Sequence, residues 1–116
     1  MAAYVDIITT RPDTTAEFWW TNTDATIAGH RASVVNIASQ RNLPVTLTVS
    51  PDGLTAKIRY TVADETEWQQ FTMAVNAGAP AVAAARNAYH QANGHGLKIE
   101  VTDTDTNQLV REITLI

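Results

Sequence analysis

The sequence has no cysteine, only two lysines and no long run of apolar residues. The absence of cysteine excludes a disulfide framework, a thiol nucleophile and a cysteine zinc site. The net charge is −4, and Lys57 and Lys98 leave no basic surface for phosphates, so we expect no nucleic-acid partner. No basic segment followed by a long apolar run opens the chain, so we also expect no signal peptide, membrane span or membrane partner.

The 116 residues are 45% hydrophobic, which suits a single domain over residues 1–116 that folds without metal or disulfide support. Alternation of apolar and polar residues predicts strands over residues 4–10, 45–50, 54–62, 97–102 and 109–116. Apolar residues recur at helical spacing over residues 24–41, which follow several N-cap candidates. The first strand is apolar on both faces, as is typical of a central strand.

A second helix is predicted to start at Asp64, whose side chain can accept from free backbone N–H groups, while Glu67 can reach back. Gly78 and Pro80 interrupt this helix, because proline lacks the N–H that an interior turn needs. Proline is well placed at the start of a further helix, which we expect over residues 81–93.

Residues 45–62 are predicted to form a β-hairpin around Pro51-Asp52-Gly53, where glycine supplies a positive φ. We expect one face of the hairpin to point toward the helices: Val45, Leu47, Val49, Ile58 and Tyr60. We expect the core to bring together Trp68, Phe71, Ile58, Tyr60 and Val34.

The order β-α-β-β-α-β with an extra C-terminal strand predicts an α+β fold. It is typical of a ferredoxin-like sandwich, an antiparallel sheet covered by helices on one face. A different order of the same strands stays open at this point, because sequence defines strands better than their neighbours.

Phe18, Trp19 and Trp20 form an aromatic run in a segment, residues 14–21, that we expect to be extended or irregular, although a short helix is the alternative. Three consecutive aromatic side chains do not all point one way in a regular element, so we expect one to be exposed or at an interface. They are also candidates for the core or for a small-molecule pocket.

Of the three histidines, His90 and His95 are candidates for metal ligands or a proton-transfer pair, and one acidic turn is a candidate calcium site. His90 and His95 could meet at a helix end, but His90 beside the helix dipole and His95 in a glycine loop are the preferred interpretation. Asp103, Asp105 and Asn107 resemble the start of a calcium loop, yet the glycine and distal glutamate of that motif are missing, which favours a turn. We therefore assign no catalytic residue, no metal ligand and no cofactor.

Two stretches carry resemblances. Tyr60 to Phe71, with its acid-capped helix, resembles the second half of dimeric α+β-barrel proteins, a superfamily that includes small monooxygenases. Tyr4 to Asp13, followed by Phe18, is similar to short proteins of tailed phages of marine bacteria, which implies a virion component.

We therefore expect a non-catalytic structural protein that assembles with other subunits as a homo-oligomer or virion lattice, in the virion or the host cytoplasm. The candidate interface residues are Phe18, Trp19, Trp20, Leu109, Arg111, Ile113 and Leu115, the last four on one face of the terminal strand. The alternative is a small dimeric α+β-barrel enzyme or a ligand-binding module. Its pocket would be lined by His30, Tyr60, Trp19 and Trp20.

Overall fold

The predicted strands and helices occur at the expected places in a computed structural model that describes residues 2–116. The strands are β1 (Ala3–Thr10), β2 (Val45–Val49), β3 (Thr55–Val62), β4 (Gly96–Asp103) and β5 (Leu109–Thr114). The helices are α1 (Ala25–Gln40), α2 (Glu65–Gly78) and α3 (Val82–Ala92). Within residues 2–116, none of these helices combines the length and the apolar character needed to cross a membrane.

The five strands form one sheet in the order β2-β3-β1-β4-β5, and every neighbouring pair is antiparallel. β1 lies at the centre, and Val5, Ile7 and Ile8 are buried on its two faces. The expectation of a central first strand and of an α+β fold with an antiparallel sheet is confirmed.

The helix boundaries follow from local chemistry. Asp24 caps α1 and accepts from the backbone N–H groups of Thr26 and Ile27. At the start of α2, the Glu67 N–H donates to Asp64 Oδ1 at 2.8 Å, and the Glu67 carboxylate accepts from the Ala63 N–H at 2.9 Å. These reciprocal bonds confirm the predicted cap, and they satisfy backbone donors that have no partner inside the helix.

The core lies between the helices and one face of the sheet. It contains the expected Ile58, Tyr60, Phe71 and Val34, with Trp68 packed against them as a partly buried side chain. Burial of apolar surface contributes roughly 25 cal/mol per Å², so this layer is the main source of stability.

Val45, Leu47 and Val49 lie on the predicted face of the sheet, but no helix covers them. Their exposed fractions are 37%, 45% and 42%. Pairing with Tyr60, Ile58 and Ala56 of β3 does place them on the helix-facing side of the sheet. β2 is an edge strand, however, and the helices leave it uncovered, so the apolar stripe of β2 faces solvent.

The aromatic run takes neither helical nor strand geometry, in agreement with the expectation of an irregular segment. Phe18, Trp19 and Trp20 are nevertheless all buried, so the expectation that one is exposed or at an interface is wrong. An irregular backbone lets successive side chains turn the same way, and the two indole rings meet edge to face at 5.0 Å. Arg31 donates to the Trp19 carbonyl and helps to hold the segment in place.

The terminal strand contains a β-bulge. Val101 pairs with Arg111, but the next residue, Thr102, pairs with Leu109, so one residue of β5 is extra. A bulge interrupts the alternation of side chains. Arg111 and Ile113 therefore lie on one face of β5, as predicted, but Leu109 lies on the other face.

Candidate functional site

An apolar pocket lies between α2, α3 and the sheet, and its volume is about 160 Å³. The sheet contributes Ile7, Tyr60 and Ile99 to its wall. The loop and helices contribute the remaining side chains: Trp19, Trp20, Val34, Trp68, Phe71, Thr72, Val75, Asn76, Val82, Ala83 and Arg86. Thr72 and Asn76 are exposed, so the pocket reaches the surface along α2.

Aromatic rings form one wall of the pocket. The rings of Tyr60, Trp68 and Phe71 lie 5.1 to 5.5 Å apart in tilted pairs. This is the separation at which aromatic rings attract one another. Burial raises the pKa of the Tyr60 hydroxyl, and nearby Arg86 opposes this effect only in part. The hydroxyl is therefore protonated at neutral pH and is a donor, not a base.

Arg86 is the charged residue of the pocket. The side chain is half-buried, its buried Nε–H has no hydrogen-bond partner among the described residues, and its Nη2 donates only a long 3.4 Å bond to Asn87 Oδ1. No carboxylate within residues 2–116 forms an ion pair with it. Burial lowers the pKa of its guanidinium, with Tyr60 acting in the opposite direction. Arginine keeps its charge in proteins, so this site contains a cation without a counter-charge.

Trp20 adds a second unsatisfied donor to the pocket wall. Its ring is buried, and its indole Nε1–H has no partner among the described groups. Buried donors are nearly always paired in folded proteins. Trp20 and Arg86 thus each bring a buried N–H without a partner among the described residues to the wall of this pocket.

Three of the four predicted pocket residues, Tyr60, Trp19 and Trp20, do line this pocket. His30 is half-buried on α1 and is not part of the wall. Arg86 was not among the residues predicted for the pocket. Its position in the sequence indicates its place in the structure. Arg86 comes four residues after Val82 and four before His90, and residues at this spacing share one face of a helix.

The two remaining histidines form a buried pair beside the pocket. His90 has no exposed surface and His95 almost none, and their ring centres are 6.0 Å apart. Neither ring nitrogen of His90 has a hydrogen-bond partner. Burial, with help from Arg86 and His95, lowers the pKa of His90 to about 4. His90 lies in the last turn of α3, as predicted, and its lowered pKa keeps the ring neutral at pH 7, so it adds no charge to the helix dipole at that pH.

The side chains described within residues 2–116 form no group of three or more candidate ligands that could hold a metal ion. In the acidic turn, backbone N–H groups occupy the carboxylate of Asp103. Asp103 Oδ1 accepts from the backbone N–H groups of Asp105 and Thr106, which confirms its interpretation as a turn residue.

The two edges of the sheet are the other exposed feature. β2 presents its apolar stripe, and β5 presents Leu109, Ile113 and the adjoining Leu115 at the surface. Arg111 of β5 forms a surface ion pair with Glu65 at 3.1 Å. Both edges leave backbone hydrogen-bonding groups without a strand partner, as edge strands do.

Comparison with protein-family models, curated proteins and solved structures finds no match to this chain.

Proposed function

We propose that this protein is a non-catalytic structural protein that assembles with copies of itself through the β2 edge of its sheet. One observation carries the proposal: β2 is an edge strand whose three apolar side chains face solvent along its whole length. A long, apolar edge is a template for pairing with another strand, and natural monomers usually block it with charge or proline. β2 has neither.

The sequence of β2 fits a second copy of itself. Val45-Thr46-Leu47-Thr48-Val49 reads the same in both directions. An antiparallel pair centred on Leu47 would place valine opposite valine and threonine opposite threonine. It would continue the sheet across a two-fold axis, and the apolar stripes of both copies would lie side by side.

β5 fits the same role less well. A continuous sheet across a two-fold axis centred on Arg111 or Glu112 of β5 would set two like charges opposite each other, which is destabilising. The bulge also bends this edge away from regular pairing. The burial of Phe18, Trp19 and Trp20 removes them from the contact surface, so β2 is the edge that we assign to self-association.

A phage virion is the setting that we propose for this assembly, and it rests on the N-terminal resemblance and on composition. For the fold, we propose a ferredoxin-like arrangement. The order β2-β3-β1-β4 and the helices on one face support it. The added β5 and the division of the second helical segment into α2 and α3 are departures from the simple sandwich.

The test is the molar mass of purified protein by sedimentation or light scattering. The wild-type chain should form a dimer, and Leu47→Lys should be monomeric, because two ammonium groups would meet at the two-fold axis. Leu47 is exposed in the single chain, so the melting temperature of the variant measured at low concentration should match that of wild type.

Met73→Lys is the matched control, since Met73 is an exposed apolar residue of α2 away from the sheet edge. It should remain a dimer. A wild-type chain that stays monomeric at high concentration would remove the proposal, and so would a Leu47→Lys variant that still dimerises.

A ligand-binding module is the second candidate, and the pocket favours it over an enzyme. The described residues that line the pocket include no histidine or carboxylate, and the pKa of Tyr60 is raised, so none is suited to general acid or base catalysis near pH 7. The volume is also below the roughly 300 Å³ of a typical small-molecule active site.

A further inference from the structure

The Arg86 pocket combines features that a purely structural core avoids. Arg86 is half-buried, and its Nε–H is buried without a hydrogen-bond partner among the described residues. It has no carboxylate partner and only one long hydrogen bond, although a charged group taken out of water is stable only when a partner offsets the loss of hydration. The surrounding side chains are mostly apolar or aromatic. An anion in the pocket would supply the partner that Arg86 lacks.

The N-terminus of α3 adds to the attraction for an anion. Val82 and Ala83, the first residues of this 11-residue helix, line the pocket, and no side chain caps the helix start. The first N–H groups of a helix and its dipole favour negative charge. Arg86 and the N-terminus of α3 therefore both favour a negative charge in this pocket.

The volume limits the size of the ligand. An apolar cavity of about 150 Å³ accepts one benzene ring. The Arg86 pocket is about as large, so it has room for one ring or a short branched chain and not for a nucleotide or a long lipid chain.

We propose that this pocket binds a small organic monocarboxylate, an aromatic or short branched acid. The carboxylate pairs with Arg86, and the apolar part lies against the rings of Tyr60, Trp68 and Phe71. Arginine holds a carboxylate through two parallel hydrogen bonds, and the Trp20 indole N–H is a further donor in the same pocket. One guanidinium matches a single negative charge better than the double charge of a phosphate monoester.

The test is a titration of the full chain with benzoate, followed by tryptophan fluorescence and by calorimetry. Benzoate should bind saturably and raise the melting temperature, because it binds only the folded state. Benzyl alcohol has the ring without the charge and acetate has the charge without the ring, so each should bind at least about tenfold more weakly than benzoate.

Arg86→Gln should weaken benzoate binding by about 10- to 100-fold, since hydrogen bonds to a charged group are strong. Arg41→Gln makes the same change of charge at an exposed position outside the pocket and should bind as wild type does. Ala83→Leu keeps Arg86 but fills the pocket, and it should also abolish binding. Circular dichroism establishes that each variant is folded.

The proposal is overturned if benzoate and a branched acid such as 3-methylbutanoate show no saturable binding at millimolar concentration. It is overturned as well if folded Arg86→Gln binds benzoate as tightly as wild type. Both results are independent of dimerisation through β2, which the Leu47→Lys variant reports separately.

Discussion

The helices α2 and α3 follow each other along the chain, line the same pocket and are built in opposite ways. α2 has an acid-capped start and presents Trp68 and Phe71 to the sheet. α3 has no side-chain cap and presents Arg86 and His90 to the interior. The rings of Trp68 and Phe71 on α2 pack against Tyr60, whereas Arg86 Nε and both ring nitrogens of His90 on α3 have no hydrogen-bond partner among the described residues.

This difference between α2 and α3 distinguishes residues that stabilise the fold from residues that we assign to a function. Buried polar groups without partners lower the stability of a fold, so their presence on one helix calls for a reason that packing does not supply. Helix α2 supplies packing energy and aromatic rings of the pocket wall, and α3 holds Arg86, the cation that we assign to ligand binding. Substitutions on the two helices should therefore act in different directions.

The largest expected effect is on α2. Phe71→Ala should lower the free energy of unfolding by about 3–5 kcal/mol, because it removes a ring that is buried against Tyr60 and Trp68. Chemical denaturation followed by circular dichroism measures this quantity. A loss below about 1 kcal/mol would show that α2 is not the packed helix of the pair.

The next effect is the pH dependence of α3. The pKa of His90 is lowered from 6.5 to about 4, so the unfolded chain takes up the proton first as pH falls. The stability that neutral His90 provides is complete above pH 6.5 and is lost as pH falls through 4, a change of roughly 3 kcal/mol. Denaturation of wild type across this range measures it.

His90→Leu should lose much of this acid sensitivity, because the variant has no proton to bind at that position. His30→Asn is the control, since His30 lies on α1 outside the cluster. Equal pH profiles for wild type and His90→Leu would contradict the assignment of the acid response to α3.

A smaller effect of opposite sign is expected at Arg86. In the absence of ligand, Arg86→Leu should raise the free energy of unfolding by about 1 kcal/mol, because an unpaired cation leaves an apolar site. A thermal melt without added carboxylate shows the sign directly. A clear destabilisation would mean that Arg86 has a structural partner and that the two helices are built alike.

The smallest expected effect concerns the cap of α2. Asp64→Ala removes the acceptor of the Glu67 N–H and should cost about 1 kcal/mol. Ala81 at the start of α3 has no side-chain acceptor to lose, so Ala81→Gly should alter stability by only a few tenths of a kcal/mol. Similar losses at both positions would remove this part of the difference between the helices.

Local features of the fold were predictable from the sequence because they depend on neighbouring residues. The central position of β1, the turn at Pro51-Asp52-Gly53 and the cap formed by Asp64 and Glu67 all belong to this class. Each is determined by side-chain alternation, backbone freedom or a hydrogen bond over a few residues.

Features that depend on distant elements were not predictable. The stripe of β2 has the pattern of a core strand, and its exposure results only from its place at the sheet edge, where no helix covers it. The burial of Trp19 and Trp20 depends on a loop that folds under the helices. The isolation of Arg86 could not be predicted, because it depends on the positions of all twelve acidic residues of the sequence. None of them forms an ion pair with Arg86 within residues 2–116.

Under the pairing that we propose at β2, the unequal edges of the sheet would set how many copies one molecule can bind. A chain with one self-complementary edge has a valency of one toward itself, so raising its concentration should produce pairs and should stop there. Continued growth would require a strand of different sequence to pair with β5, whose central charges, Arg111 and Glu112, oppose self-pairing. Two copies of this chain would then pair through β2, and only a chain of different sequence would extend the sheet at β5.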